Sequence, residues 1–285
     1  HLCDRRQRQM CIRDRSYPVK NGVIADIGNM QSMINCFFDA LSGKKKLKGA
    51  EYYIAVPTDI TEVEKRAYFD LIANTNLKPK KIHIVEKPIA DALGMNLDIT
   101  KSTGTLIVDI GANTAEISVL SLGGIVLSKL IAVGGNKFDE AIISKIKQEK
   151  NFVIGEKSAE FIKESIGAAY ANDETIDICG RNLVTGLPSE VQVTGQEVHE
   201  ALSEHFQTII DSIKVILERT PPEISSDIYK SGIYLTGGSS KIKDLGKYIY
   251  DELGLRVNLC EEPENTVILG LGAVIEDPEL AKLAM

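Results

Sequence analysis

The chain has 285 residues, is 44% hydrophobic and 26% charged, and carries a formal net charge of −7 at pH 7. That profile excludes a disordered chain and argues against general nucleic-acid binding, and no apolar run approaches the roughly 20 residues of a membrane span. Five scattered cysteines (Cys3, Cys11, Cys36, Cys179, Cys260) without Cys-x-x-Cys spacing, four His and no Trp point away from a zinc site, a disulfide framework or a His-rich metal centre, and fit a reducing cytoplasm.

Residues 1–16 hold five of the nine arginines and show neither helical nor strand periodicity. They read as a basic arm or, preferably, as a non-native or disordered start to be set aside. Residues 22–29 imitate an Asp-x-Gly phosphate turn. Yet Met30, Met33, Ile34, Phe37, Phe38 and Leu41 follow at helical spacing, so Asp26 or Asn29 reads as a helix N-cap rather than a metal ligand. Between Gly43 and Gly49 lie Lys44, Lys45, Lys46, Leu47 and Lys48. This is a solvated loop by default; against an anionic membrane each lysine can contribute about 1 kcal/mol.

Residues 52–57 read as a strand, and Thr61 with Glu64 forms a capping box for a helix over 62–75. A strand over 81–86 runs into Pro88, which suits the first turn of a helix over 89–97. This alternation predicts a layered α/β domain with a partly parallel sheet. Residues 105–115, TLIVDIGANTA, then give a buried strand that ends in Asp109 and turns back at once. Such a turn is ordinary in hairpins, but its N–H groups can also cradle phosphate oxygens while Asp109 holds Mg²⁺ through water.

The meander continues through strands over 116–122 and 125–133, and helices are predicted over 137–150 and 156–170. Glu160 and Lys163 stand one turn apart, as a surface ion pair or as a carboxylate and an ammonium presented to a ribose or base. Residues 172–195 read as irregular strands and turns. A long helix over 195–220 stops at Pro221-Pro222. A strand over 232–235 then meets Thr236, Gly237, Gly238, Ser239 and Ser240 before a helix over 242–253, a second candidate anion contact at a helix N-terminus. A strand near Val257 and a helix over 267–274 close the chain.

The stretch GRNLVTGLP from Gly180 to Pro188 resembles a segment characteristic of the MreB family of bacterial rod-shape-determining actin homologues, within the actin, chaperone and sugar-kinase ATPase superfamily. GVIAD at Gly22, SLGGI at Ser121, ERTPPE at Glu218 and GIYLTGG at Gly232 extend the resemblance across roughly 265 residues. It implies an α/β actin-like ATPase fold, with two lobes that each hold a mixed sheet flanked by helices and with nucleotide between them. Residues 17–103 plus 272–285 are the expected first lobe, 104–151 plus 226–271 the core of the second, and 152–225 its small subdomain.

By resemblance, Asp109, Gly111, Ala112, Asn113 and Thr114 form a phosphate loop for ATP and Mg²⁺. Glu160 and Lys163 line the ribose and adenine side, and Gly237, Gly238, Ser239 and Ser240 close over the nucleotide. The family also implies filaments on the inner membrane surface that guide the cell-wall elongation machinery, in a cytoplasmic, membrane-associated protein without nucleic-acid partners.

The chain departs from the family in three places. Nothing upstream of Tyr17 matches the family's first phosphate loop, so the first lobe is expected to be incomplete. The family's Glu-Glu-Pro is Glu86-Lys87-Pro88 here, which leaves Glu86 as the candidate catalytic residue and makes hydrolysis slow at best. The usual Gly-Gly-Gly-Thr-Thr is Gly111-Ala-Asn-Thr-Ala115. A chaperone-type ATPase domain, a small-molecule kinase and a non-hydrolysing structural paralogue are the alternatives.

Overall fold

The computed structural model describes residues 17–20, 22–42, 49–75 and 78–283. The arm at 1–16 and the lysine loop at 44–48 therefore lie outside the described residues. The chain divides into two compact units, His1–Tyr52 with Thr61–Ile82, and Tyr53–Ile60 with His83–Met285.

In the first unit, β1 (Val19–Lys20) and β2 (Val23–Ile24) make a small antiparallel hairpin before α1 (Ile27–Ser42). Asp26 takes the predicted capping role, its Oδ1 accepting the Asn29 N–H at 3.0 Å. The strand β3 (Glu51–Val56) precedes α2 (Glu62–Ala73), which opens on the predicted capping box. There Thr61 N–H donates to Glu64 Oε2 at 2.7 Å, and Glu64 N–H donates to Thr61 Oγ1 at 3.3 Å. Tyr68 of α2 is buried and donates to Gly22 O at 2.6 Å, which ties this helix to the β1–β2 turn. The strand β4 (Lys81–Glu86) pairs with β3, and residues 53–56 and 83–86 of these strands belong to the second unit.

The second unit begins its helices with α3 (Lys87–Gly94), which carries Pro88 in its first turn. The strands β5 (Thr105–Ile110), β6 (Ala115–Ser121) and β7 (Gly124–Ile131) form the expected meander. Then come α4 (Gly135–Lys150), β8 (Phe152–Val153) and α5 (Glu156–Ile166), followed by β9 (Thr175–Asn182), β10 (Pro188–Thr194), α6 (Gly195–Arg219) and α7 (Pro222–Ser231). After β11 (Ile233–Thr236), a 3-10 turn (Gly238–Lys241), α8 (Leu245–Leu253), β12 (Val257–Leu259) and α9 (Thr266–Glu276) complete it. The central sheet has the order β12-β11-β5-β6-β7, parallel for its first two pairings and antiparallel for the rest, a mixed sheet as expected.

Both faces of β5 are covered, so its apolar run does not alternate with polar residues. Leu106, Val108 and Ile110 enter one core with Ile117 and Val119 of β6, Phe138, Ile142 and Ile146 of α4, and Phe206 and Ile210 of α6. Ile107 and Leu120 enter a second core with Val85, Ile89, Leu93, Leu271 and Val274. Since neighbours on a strand point to opposite faces, Asp109 and Glu116 share the second face, the one that α3 and α9 cover. These two helices touch backbone to backbone. A Cβ on Gly94 would lie 1.9 Å from Thr266 O, and one on Gly270 would lie 1.8 Å from Ala90 O.

Three predicted segments differ. Residues 175–194 are a regular antiparallel hairpin with seven paired positions, not irregular turns. Only one face carries apolar residues (Ile176, Ile178, Val191, Val193) and the rest are polar, which mimics a loop composition. The helix predicted to reach residue 170 ends at Ile166, because Gly167 turns extended and Ala168 bridges to Lys243. Finally, Pro221-Pro222 both ends α6 and starts α7, with Pro in the first helical turn, where its missing N–H costs nothing.

Candidate functional site

The site grows out of the β5–β6 turn. Gly111 N–H donates to Thr114 O at 2.9 Å and closes the turn, which leaves the amides of Ala112, Asn113 and Thr114 without a backbone partner among the described residues. The turn's carbonyls are tied to two other elements. Gly111 O accepts from Gly135 N–H at 3.0 Å and from Ser239 Oγ at 2.9 Å. Ala112 O accepts from Asn136 N–H at 2.7 Å, and Asn113 Oδ1 accepts from Asn136 Nδ2 at 2.8 Å. The first amides of α4 are thus spent on holding the turn, and the turn's own amides remain available. Gly134 permits this approach, since a Cβ there would stand 2.7 Å from Gly111 O.

A cleft of about 700 Å³ opens beside these ties. Ala112, Gly135 and Asn136 form one wall, Asp139, Glu160, Lys163 and Glu164 a second, and Gly238, Ser239, Lys241 and Lys243 a third. Lys163 does not pair with Glu160 as a surface ion pair. Its ammonium, only 13% exposed, meets Asp139 Oδ1 at 2.8 Å and donates to Gly135 O at 3.2 Å. Burial raises the Asp139 carboxyl above its usual value, with Glu160 and Glu164 adding to this, and Lys163 only partly offsets them. A polar, mixed-charge cleft beside unpaired turn amides suits a ligand with both a polyol-like and a phosphate part.

Asp109 lies at the inner end of the turn and is 4% exposed. A Cβ on Gly237 would stand 2.2 Å from Asp109 Oδ1, and Gly237 has φ +85°, so only glycine serves there. The Lys87 ammonium contacts Asp109 Oδ2 in an ion pair. Two further carboxylates are buried on the same sheet face. Glu116 is the cross-strand partner of Asp109, an arrangement that like charges disfavour unless a cation intervenes. Its Oε1 accepts from Thr58 N–H at 2.7 Å and from the Thr58 hydroxyl, which also contacts Ser128 Oγ. Asp91, one helical turn after Lys87, accepts from Thr266 Oγ1 at 2.6 Å.

Burial pushes the Glu116 carboxyl up against the pull of Thr58 and Lys87. It also raises Asp91 well above the ordinary value, reinforced by Asp109. Burial disfavours the Lys87 charge, but Asp109, Asp91 and Glu116 together outweigh it and hold the ammonium above its usual value. Lys87 is therefore a fixed cation and not a base. The Mg²⁺ expected at Asp109 meets a positive charge already in place. A dication on the same carboxylate would be repelled by that ammonium. Among the described residues no group of three or more His, Cys, Asp or Glu could hold a metal ion directly.

Of the residues expected at the site, Ala112, Glu160, Lys163, Gly238 and Ser239 line the cleft. Gly111 and Asn113 sit in the turn as its fastenings, and Thr114 is buried. Ser240 is buried too, and its hydroxyl donates to Gly237 O at 2.7 Å, which holds the 3-10 turn together. Glu86 is the last residue of β4, stands at the N-cap of α3 and makes no side-chain capping bond. Sequence reasoning missed Asp91, Glu116, Thr58 and Asn136. A signal existed for two of them. Asp91 stands alone among Pro88, Ile89, Ala90, Ala92 and Leu93, and a tight turn at 111–114 forces position 116 opposite position 109.

A family model described as MreB/Mbl protein matches residues 10–283. Its start falls inside the stretch set aside at 1–16. Over 262 residues the chain is 36% identical to the cell shape-determining protein MreB of Escherichia coli (strain K12), covering 91% of this chain and 75% of that protein. It is 37% identical over 262 residues to the cell shape-determining protein Mbl of Bacillus subtilis (strain 168), covering 91% and 78%. The crystal structure of MreB 5 of Spiroplasma citri bound to AMPPNP matches with a TM-score of 0.87 and 33% identity, over 92% of this chain and 78% of that one. The same protein bound to ADP gives 0.86. The MamK double helical filament, at 21% identity, a TM-score of 0.79, and 96% and 84% coverage, shares the fold alone. The fold is actin-like.

Proposed function

The chain belongs to the MreB/Mbl family, and from that premise we propose a nucleotide-binding cytoskeletal protein that assembles into filaments and determines cell shape. It works in the cytoplasm at the inner face of the membrane, with the cell-wall elongation machinery as its client. One observation carries the nucleotide reading: three turn amides free of backbone partners open beside a cleft that Glu160, Lys163, Gly238 and Ser239 also line. In this reading the amides of 112–114 hold phosphate oxygens, Glu160 and Lys163 face the ribose and base, and Gly238 and Ser239 close the third side. The one relative solved both with AMPPNP and with ADP supports a nucleoside di- or triphosphate as the ligand class. Membrane contact belongs to Lys44, Lys45, Lys46, Leu47 and Lys48, which lie outside the described residues.

A specific observation favours a non-hydrolysing form. Lys87, paired with Asp109, cannot accept a proton from water, and Glu86 alone is left to orient an attacking water. High-speed sedimentation with and without nucleotide tests the assembly. The expected result is a pellet that appears with ATP or AMPPNP and shrinks without nucleotide, with little phosphate released. A pellet indifferent to nucleotide, or its absence under every condition, would count against a nucleotide-controlled filament.

A further inference from the structure

We propose that the Lys87 ammonium is the built-in counter-cation of this site, standing at Asp109 where a hydrated divalent metal would otherwise stand, so that nucleotide phosphates bind without a divalent ion. The inference rests on the nucleotide reading above and deepens it. Three observations carry it. First, the Lys87 ammonium contacts Asp109 Oδ2 directly, and its side chain as a whole stays 22% exposed. Second, it serves three buried carboxylates. Asp91 Oδ2 and Glu116 Oε2 have no hydrogen-bond partner among the described residues, and Glu116 stands opposite Asp109 across the hairpin. Third, Asp109 is only two residues from the start of the turn at 111–114, whose amides are unpaired.

A lysine suits this place by its chemistry. Its ammonium is a compact point charge with three donors, so it can keep Asp109 on one side and meet a phosphate oxygen on the other. It also repels a second cation from the same carboxylate. The site is then pre-charged for an anionic ligand and closed to a metal. Gly237 leaves the room that the carboxylate needs, since a Cβ there would stand 2.2 Å from Asp109 Oδ1.

The test uses the whole 285-residue chain and AMPPNP as the probe, titrated by calorimetry in Mg²⁺ and in EDTA, alongside thermal melts with Mg²⁺ alone. The expected result is an affinity that agrees within about twofold in the two buffers, with no change of Tm on adding Mg²⁺. The Lys87→Gln variant is expected to gain a Tm increase with Mg²⁺ alone and to bind AMPPNP at least about tenfold more tightly with Mg²⁺ than with EDTA. Lys87→Arg, which keeps the charge, is expected to stay metal-independent. A wild-type affinity that falls about tenfold or more in EDTA would overturn the role of Lys87 and leave the nucleotide reading intact. No binding in either buffer would overturn the nucleotide reading and this inference with it. If Lys87→Gln does not fold, the two wild-type arms and Lys87→Arg decide alone.

Discussion

Replacing Lys87 with glutamine is expected to lower the unfolding free energy by about 3 kcal/mol, the scale seen when one partner of a buried ion pair is removed. The cost arises because Asp109 loses the ammonium it contacts, while Glu116 stays opposite it and Asp91 stays buried one turn along α3. Adding Asp91→Asn is expected to return part of the loss, since an amide oxygen can still accept from Thr266 Oγ1 and one like charge disappears. This rescue has a pH signature. Burial first, then Asp109, hold the Asp91 carboxyl well above its ordinary 3.8. A carboxyl raised in the folded state contributes stability that is intact below the ordinary value and is lost as pH rises through the raised one. Asp91→Asn escapes that loss, so its advantage over the parent is absent at acid pH and accrues as pH rises. Urea unfolding at several pH values reads this directly. A Lys87→Gln protein as stable as the parent, or a rescue that grows toward acid pH, would contradict the charge arrangement.

The second large effect is expected from glycines in one helix. Gly270 and Gly272 sit two residues apart in α9, and intrinsic helix propensity favours alanine at both by roughly 0.5–1 kcal/mol. Packing separates them. A Cβ at Gly270 would stand 1.8 Å from Ala90 O and 2.6 Å from its carbonyl carbon, both backbone atoms of α3, while a Cβ at Gly272 meets nothing within 4 Å. Gly270→Ala must push α9 off α3 and is expected to cost about 3 kcal/mol, and Gly272→Ala is expected to be neutral or slightly stabilising. The same displacement shifts the helix that carries Lys87 and Asp91, so Gly270→Ala should also weaken nucleotide binding. Equal melting temperatures for the two variants would refute the backbone contact as the reason for Gly270.

Much of this fold is legible in the sequence because its signals are local. The capping box at Thr61, the stop at Pro221 and the strands at 81–86 and 105–110 each rest on a signal confined to a few neighbours. The helix predicted over 242–253 starts later, at Leu245, because the turn before it runs on as a 3-10 turn to Lys241. The site is legible in part for the same reason. The turn at 111–114 and the Gly-Gly-Ser-Ser segment announce themselves, but the partner of Lys163 is Asp139 of another helix, and no spacing rule supplies it. The carboxylate cluster is the least legible. Asp91 and Glu116 each carry a local hint, but only the sheet order, which places α3 over the face of Glu116, joins them into one cluster.

Nucleotide binding by the turn at 111–114 and the cleft beside it is read out by residue-resolved NMR of the isotope-labelled chain on addition of ADP. The largest amide shifts are expected on Ala112, Asn113 and Thr114, on Glu160 and Lys163, and on Gly238 and Ser239, with the β9–β10 hairpin unmoved. Saturating ADP that shifts none of these amides, or shifts centred on that hairpin, would contradict it.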